Sequence, residues 1–207
     1  MKMKERSWKE EEERELTEKS EQGPSLVDVD VLGSGINRLT SNKAHKIIDK
    51  LPDYFIPVGS VVRGKENPSD IDLISTRPLN EAYKFFERNY DVTEVRTHGP
   101  KRSDFVISYD GDSIPINLWY SDKDHLGVKK LLLDYPKGLI IGIRRKLKKF
   151  GYRLSEDKLY KGQEEITIKD PKEIFEYADI VYRTPEEEHK KRLKKISLSS
   201  IDNEYST

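Results

Sequence analysis

Between Gly59 and Asp72 the chain reads Gly-Ser-Val-Val-Arg-Gly-Lys-Glu-Asn-Pro-Ser-Asp-Ile-Asp, and no other stretch restricts the fold as much. An apolar run, Phe55 to Val58, feeds into it and a second, Ile71 to Ser75, leaves it, so it joins two strands. Gly59 and Ser60 mark a tight turn, followed by a few helix-compatible residues and a loop. Asp70 and Asp72 lie two apart on the second strand, which sends both side chains to one face. Two carboxylates held that close repel each other unless a cation sits between them.

These residue types share one chemistry. Gly59 lets a phosphate approach the backbone, Ser60 offers an N–H and a hydroxyl at a helix start, and Arg63 adds a charged fork one turn further on. Magnesium or manganese is the expected ion, because such cations take oxygen ligands and share their shell with substrate phosphates. A triphosphate so held is set up for attack of a hydroxyl on its α-phosphorus, with two ions roughly 3.5 to 4 Å apart stabilising the attacking and leaving oxygens. A lone Asp-x-Asp is more often a polar strand edge. The full order of Gly59, Ser60, Arg63, Gly64, Asp70 and Asp72 favours the chemical reading.

Around this block, Ala44, Ile47, Ile48 and Leu51 recur at helical spacing after a cap at Thr40 or Ser41, and Pro52 stops the helix. A helix from Leu79 to Arg88, a brief strand at Val92 to Val95 and two β-rich runs, Phe105 to Tyr109 and Ile114 to Tyr120, come next. The runs flank Asp110-Gly111, a hairpin signal. Helices are expected over roughly 123 to 134 and 138 to 150, the second ending at Gly151, then short strands, then a helix opening on Pro171. Pro185 is expected to close the ordered region, with a charged, mobile tail beyond it.

Charged residues make up 37% of the chain and are concentrated at its ends; the segment before Thr40 is expected to be flexible or to bind a partner protein. The absence of cysteine excludes disulfides and thiolate metal sites. No stretch is long and apolar enough for a membrane span or a signal peptide, so a cytoplasmic or nuclear protein with no membrane partner is expected. The net charge is zero, yet between Lys137 and Lys169 ten Lys or Arg face four Asp or Glu. The four histidines are expected at the surface.

The Gly-Ser, Arg-Gly, Asp-x-Asp order resembles the signature of the DNA polymerase beta superfamily, and the spacing from Gly59 to Asp72 resembles its family X branch. Antibiotic-modifying, antitoxin-type and CCA-adding nucleotidyltransferases carry the same signature. The branch rests on the last third: Gly151-Tyr152-Arg153-Leu154-Ser155-Glu156, Leu159-Tyr160, Lys172 to Tyr177 and Tyr182-Arg183-Thr184-Pro185-Glu186 resemble the family X thumb in type and order. The resemblance implies an α+β fold in which a nucleotidyltransferase palm over 40–135 precedes a small α/β thumb over 136–189, between the charged segment 1–39 and a flexible tail over 190–207. Lyase and fingers domains have no room, so the plan resembles the minimal two-domain enzyme of a large DNA virus. It implies a monomer that adds deoxynucleoside triphosphates to a 3′-hydroxyl in gapped or primer-template DNA, with packaging in a virion a further option.

Residue by residue, the resemblance makes Asp70 and Asp72 ligands of two magnesium or manganese ions and gives the triphosphate to Gly59, Ser60 and Arg63. The family's third Asp, which binds the catalytic metal and takes the primer hydroxyl proton, falls on Asn117 in Ile114-Pro115-Ile116-Asn117-Leu118-Trp119. An amide is a poor metal ligand and no base at neutral pH, so catalysis is expected to be impaired. A deliberate substitution, a natural loss, replacement by Asp110 or Asp112, and a match displaced by one residue all remain open. The family's sugar-facing turn is replaced by Leu133-Asp134-Tyr135-Pro136-Lys137-Gly138, leaving Tyr135 and Gly138 as the candidate nucleotide contacts. Arg144, Arg145, Lys148 and Lys149 are the expected DNA grip. The rival expectations are transfer to RNA, protein or a small molecule, and a non-catalytic nucleotide- or nucleic-acid-binding protein.

Overall fold

Thr40 supplies the first cap, its Oγ1 accepting the Lys43 N–H at 3.3 Å, and helix α1 (Ser41–Ile48) buries Ala44 and Ile47. The computed structural model describes residues 39–204, all within one unit, Asn37–Thr207. The expected flexible or partner-binding segment therefore lies outside the described residues, apart from Leu39, which is buried. Strands β1 (Phe55–Val58) and β2 (Ile71–Ser75) bracket the Gly59–Asp70 connection as expected. Helix α2 (Leu79–Asn89) is followed by β3 (Asp91–His98), β4 (Arg102–Tyr109) and β5 (Asp112–Tyr120). The β4–β5 turn is Asp110-Gly111, with φ of +53° and +80°, the left-handed pair that a two-residue hairpin requires.

The five strands form a mixed sheet in the order β1-β2-β5-β4-β3, in which only β2 and β5 run parallel. Pro57 is tolerated because β1 is an edge. Pro115 precedes the part of β5 that pairs with β2, which begins at Ile116. Alternation along β5 buries Ile114, Ile116 and Leu118 and leaves Asn117 on the opposite face. Beneath the sheet, α1 and α2 complete a core in which the Phe86 ring meets Phe55 at 5.2 Å and Phe105 at 5.0 Å.

A second core follows. Helices α3 (Leu126–Asp134), α4 (Lys137–Lys149) and α5 (Pro171–Tyr177) enclose Val128, Leu131, Ile143, Leu147, Ile174 and Phe175 against the sheet β6 (Tyr152–Leu154), β7 (Leu159–Lys161), β8 (Glu164–Ile166). Gly151, at φ +79°, ends α4, and a capping box between Asp170 and Glu173 opens α5. The chain is thus α+β, as expected. Helix α3 shares the second core, so the cores divide before α3 and not after Tyr135.

Two expectations need correction. Pro185 opens a helix, α6 (Pro185–Glu204), and does not close the ordered region. The cause is a reciprocal cap: Glu187 N–H donates to Thr184 Oγ1 at 3.2 Å and Thr184 N–H donates to Glu187 Oε2 at 2.8 Å. His125 is buried, its Nδ1 2.6 Å from Asp122 and its Nε2 2.7 Å from Glu165.

Because Phe86 is fully buried at the centre of the ring cluster, Phe86→Ala should cost about 3–5 kcal/mol in urea unfolding followed by circular dichroism.

Candidate active site

Asp72 and Asn117 are paired in register across the parallel β2–β5 ladder, so both side chains rise from the same face of the sheet. Asp70 joins them from just before β2. The Asn117 amide donates to Asp72 Oδ1 at 3.0 Å and to Asp70 Oδ2 at 3.1 Å, placing one neutral NH2 between two carboxylates. Burial pushes the Asp72 carboxyl above the usual carboxylate range; the Asn117 hydrogen bond opposes that rise and the Asp70 charge adds to it.

The Gly59–Gly64 segment forms a single turn, not a helix, closed by Arg63 N–H to Gly59 O at 3.2 Å and Lys65 N–H to Ser60 O at 3.1 Å. Gly59 has φ of +74°, and a Cβ there would lie 2.1 Å from Asp72 Oδ2. The glycine therefore makes room for the Asp72 carboxylate as well as for the turn. Ser60 is buried, and its Oγ has no hydrogen-bond partner among the described residues. A buried hydroxyl left so is a donor awaiting an acceptor.

Asp134, at the end of α3, is a participant that the sequence did not disclose. It is 1% exposed, and its Oδ1 accepts the Gly59 N–H at 2.7 Å. The N–H of the residue expected to let a phosphate approach is thus occupied by a carboxylate. Burial raises the Asp134 pKa to about 6, opposed by the Gly59 hydrogen bond. Arg63 turns toward the same helix end, its Nη1 donating to Leu133 O at 3.0 Å and Asp134 O at 3.4 Å, so in this arrangement it binds carbonyls at a negative helix terminus.

Tyr135 is 4% exposed in the second core, with its hydroxyl donating to Arg183 O at 2.8 Å. Gly138 is exposed in the first turn of α4 with open space around its Cα. Arg144, Arg145, Lys148 and Lys149 are all exposed on α4, while Lys146 Nζ donates to Asp179 O at 2.8 Å.

The two acidic residues considered as replacements for a third carboxylate lie elsewhere. Asp110 and Asp112 pair with Lys43 at the far end of the hairpin, and Asp112 stands roughly 17 Å from Asn117 along β5 at ~3.3 Å per residue. The nearer carboxylate is Asp104, in register with Asn117 on β4. Asp72, Asn117 and Asp104 thus form one row across three strands. Arg102 Nε holds Asp104 Oδ1 at 2.7 Å, and the same guanidinium lies 4.4 Å from the Trp119 ring centre.

Among the described residues no three acidic or histidine side chains are gathered closely enough to hold a metal ion. Asp70 and Asp72 still suit a divalent ion that arrives with a triphosphate, since magnesium is commonly held by one or two carboxylates plus substrate phosphates. Among those residues, too, no helix is long and apolar enough to cross a membrane.

No family model matches the chain. It is 26% identical over 163 residues to the repair DNA polymerase X of African swine fever virus isolate Tick/South Africa/Pretoriuskop Pr4/1996, covering 76% of this chain and 91% of that protein. The repair DNA polymerase X of isolate Warthog/Namibia/Wart80/1980 is 24% identical over the same shares. That of strain Badajoz 1971 Vero-adapted is 25% identical over 168 residues, 76% of this chain and 94% of that protein. The similarity is distant and spans almost the whole of each relative, and it bears out the resemblance to a viral DNA polymerase of family X type.

Gly59→Ala should displace the Asp72 carboxylate and lower stability in urea unfolding by about 1–3 kcal/mol from the left-handed backbone alone. For Asp134, a folded pKa of about 6, above the ordinary aspartate value of 3.8, means that the native state holds the proton longer; stability is lost as pH rises from about 4 to about 6. Relative to wild type, Asp134→Asn should gain up to about 3 kcal/mol in urea unfolding between pH 4 and pH 7.

Proposed function

We propose that the chain is a nucleotidyltransferase of family X type that adds deoxynucleotides to 3′-hydroxyl ends at short DNA gaps, and that Asn117 slows its chemical step. The observation that carries this reading is the meeting of Asp70, Asp72 and Asn117 on one face of the sheet, beside the Gly59–Gly64 turn. The distant similarity to repair DNA polymerase X agrees with it. Residues of the first core act as the palm, and α4 with the β6–β8 sheet as the thumb that holds duplex DNA through Arg144, Arg145, Lys148 and Lys149.

Ser60 Oγ, buried and unpartnered, donates to a phosphate oxygen of the incoming triphosphate. Arg63, within the turn, and the Gly138 N–H in the first turn of α4 are further candidate donors. Asp70 and Asp72 would hold the magnesium or manganese ion that arrives with the nucleotide, and such an ion would neutralise phosphate charge and supply Lewis-acid polarisation of the phosphoryl group. Asn117 gives its NH2 to both carboxylates, which lowers their mutual repulsion without an ion. It has no basic oxygen with which to take the primer hydroxyl proton, and its amide would be a poor ligand for a second ion. Asp104, next in the row, is the carboxylate available to make good that loss once Arg102 releases it.

The same amide supports a second reading, a protein that binds nucleotide or DNA without turnover, because Asn117 satisfies Asp70 and Asp72 in the absence of metal. Primer extension on a one-nucleotide-gapped duplex, with magnesium and with manganese, separates the two. Asn117→Asp should raise the rate of insertion by about 10²-fold or more, the size of a general-base contribution. Weak wild-type extension that disappears in Asp104→Asn assigns the residual carboxylate to Asp104. Failure of both the wild type and Asn117→Asp, with Mn2+-nucleotide binding intact, supports the non-catalytic reading.

A further inference from the structure

Helix α6 is out of keeping with every other helix of the fold. Of its residues 186 to 195 only Leu193 is apolar, and Leu193 is 52% exposed. Within that stretch there is no apolar stripe to give a packing reason for the helix. What orders its start is local. Glu187 completes the Thr184 cap, Glu186 pairs with Lys190 at 2.7 Å, and Glu188 lies 3.9 Å from Arg183. All three acidic residues of the first turn are therefore occupied.

The next turns are basic. Lys190, Lys191, Lys194 and Lys195 follow the i, i+1, i+4, i+5 spacing that lines one side of a helix, and Arg192 flanks them. Lys190 to Lys195 are exposed, and Lys191, Arg192, Lys194 and Lys195 make no ion pair among the described residues. This differs from the α1 cations, where Lys43 is neutralised by Asp110 and Asp112.

The start of α6 is also fixed in place. A Cβ on Gly64 would lie 3.6 Å from Glu186 Cγ, and the Tyr135 hydroxyl binds the Arg183 carbonyl at 2.8 Å. The helix therefore begins beside the Gly59–Gly64 turn, and its basic turns lie roughly 7 to 14 Å further along at 1.5 Å per residue. We infer that the basic side of α6, Lys190 to Lys195, is a nucleic-acid-binding surface separate from α4 that contacts the phosphate backbone of the duplex close to the reacting end. The cationic stretch 190 to 195, in which Leu193 is the one apolar residue, fits a regular array of phosphates. The inference rests on the proposed action at DNA.

The test uses the full chain and a one-nucleotide-gapped DNA duplex, with binding followed by fluorescence anisotropy from about 50 to 300 mM salt. Three proteins are compared: wild type, the α6 variant K191Q/R192Q/K194Q/K195Q, and the α4 variant R144Q/R145Q. Each lost phosphate contact lowers the slope of log K against log salt by about 0.9. The α6 variant is expected to lose about 2 to 4 units of slope and to bind at least tenfold more weakly at about 100 mM salt, with an unchanged circular dichroism spectrum. Substituting arginine at the same lysines should preserve the slope. An α6 variant with wild-type slope and affinity overturns the inference, while loss confined to the α4 variant leaves the proposed function standing. A wild-type protein with no affinity for the duplex overturns both.

Discussion

Gly59 lies at the seam of the molecule. Its bare Cα admits the Asp72 carboxylate, which a Cβ would strike at 2.1 Å, and its N–H is taken by Asp134 from the end of α3. The first contact sets where a β2 side chain can stand; the second ties the first core to the helix that opens the second. Both partners of the 2.7 Å bond are buried, so separating the cores here would leave an N–H and a carboxylate without partners, at a cost of about 1–3 kcal/mol or more for the charged group. Arg63 reinforces the seam by binding the Leu133 and Asp134 carbonyls. The turn, the sheet and α3 thus hold one geometry together.

Electrostatics on the open face of the sheet follow from that geometry. Asp70 and Asp72 are brought close by their spacing on and beside β2, and the fold balances their repulsion with the Asn117 amide instead of a full charge. On the next strand Asp104 is balanced by Arg102, whose guanidinium lies against the Trp119 ring. The row Asp72, Asn117, Asp104 is thus quiet without metal, while the unpartnered Ser60 hydroxyl remains the group that an incoming anion would satisfy.

Much of this could be read from the residues. The Gly59 to Asp72 block, the Asp110-Gly111 hairpin, the Gly151 stop and the Pro171 start all rest on local backbone rules, and each stands where those rules put it. Asp134 could not be read so: it resembles any acidic residue at a helix end, and only tertiary packing buries it against Gly59. The setting of Tyr135 was hidden for the same reason, since its hydroxyl finds Arg183 far along the chain. Asp104 required strand order and register, which composition does not contain. Helix α6 was obscured differently, because its charge content resembles a solvated tail, although Thr184-Pro185-Glu186-Glu187 carries a complete local start signal.

The two-residue turn at Asp110-Gly111 also governs the chemistry of a site some distance away. Its paired left-handed φ angles lock Tyr109 opposite Asp112, and every later pair in the hairpin, Asp104 with Asn117 included, follows from that one closure. A single residue inserted into or deleted from the turn would set Ser103 or Phe105 opposite Asn117 and send the acidic side chain to the buried side of the sheet. Loop length here is therefore part of the active-site specification, and sequence drift in the hairpin tip can preserve the row only by exchanging residues without changing their number.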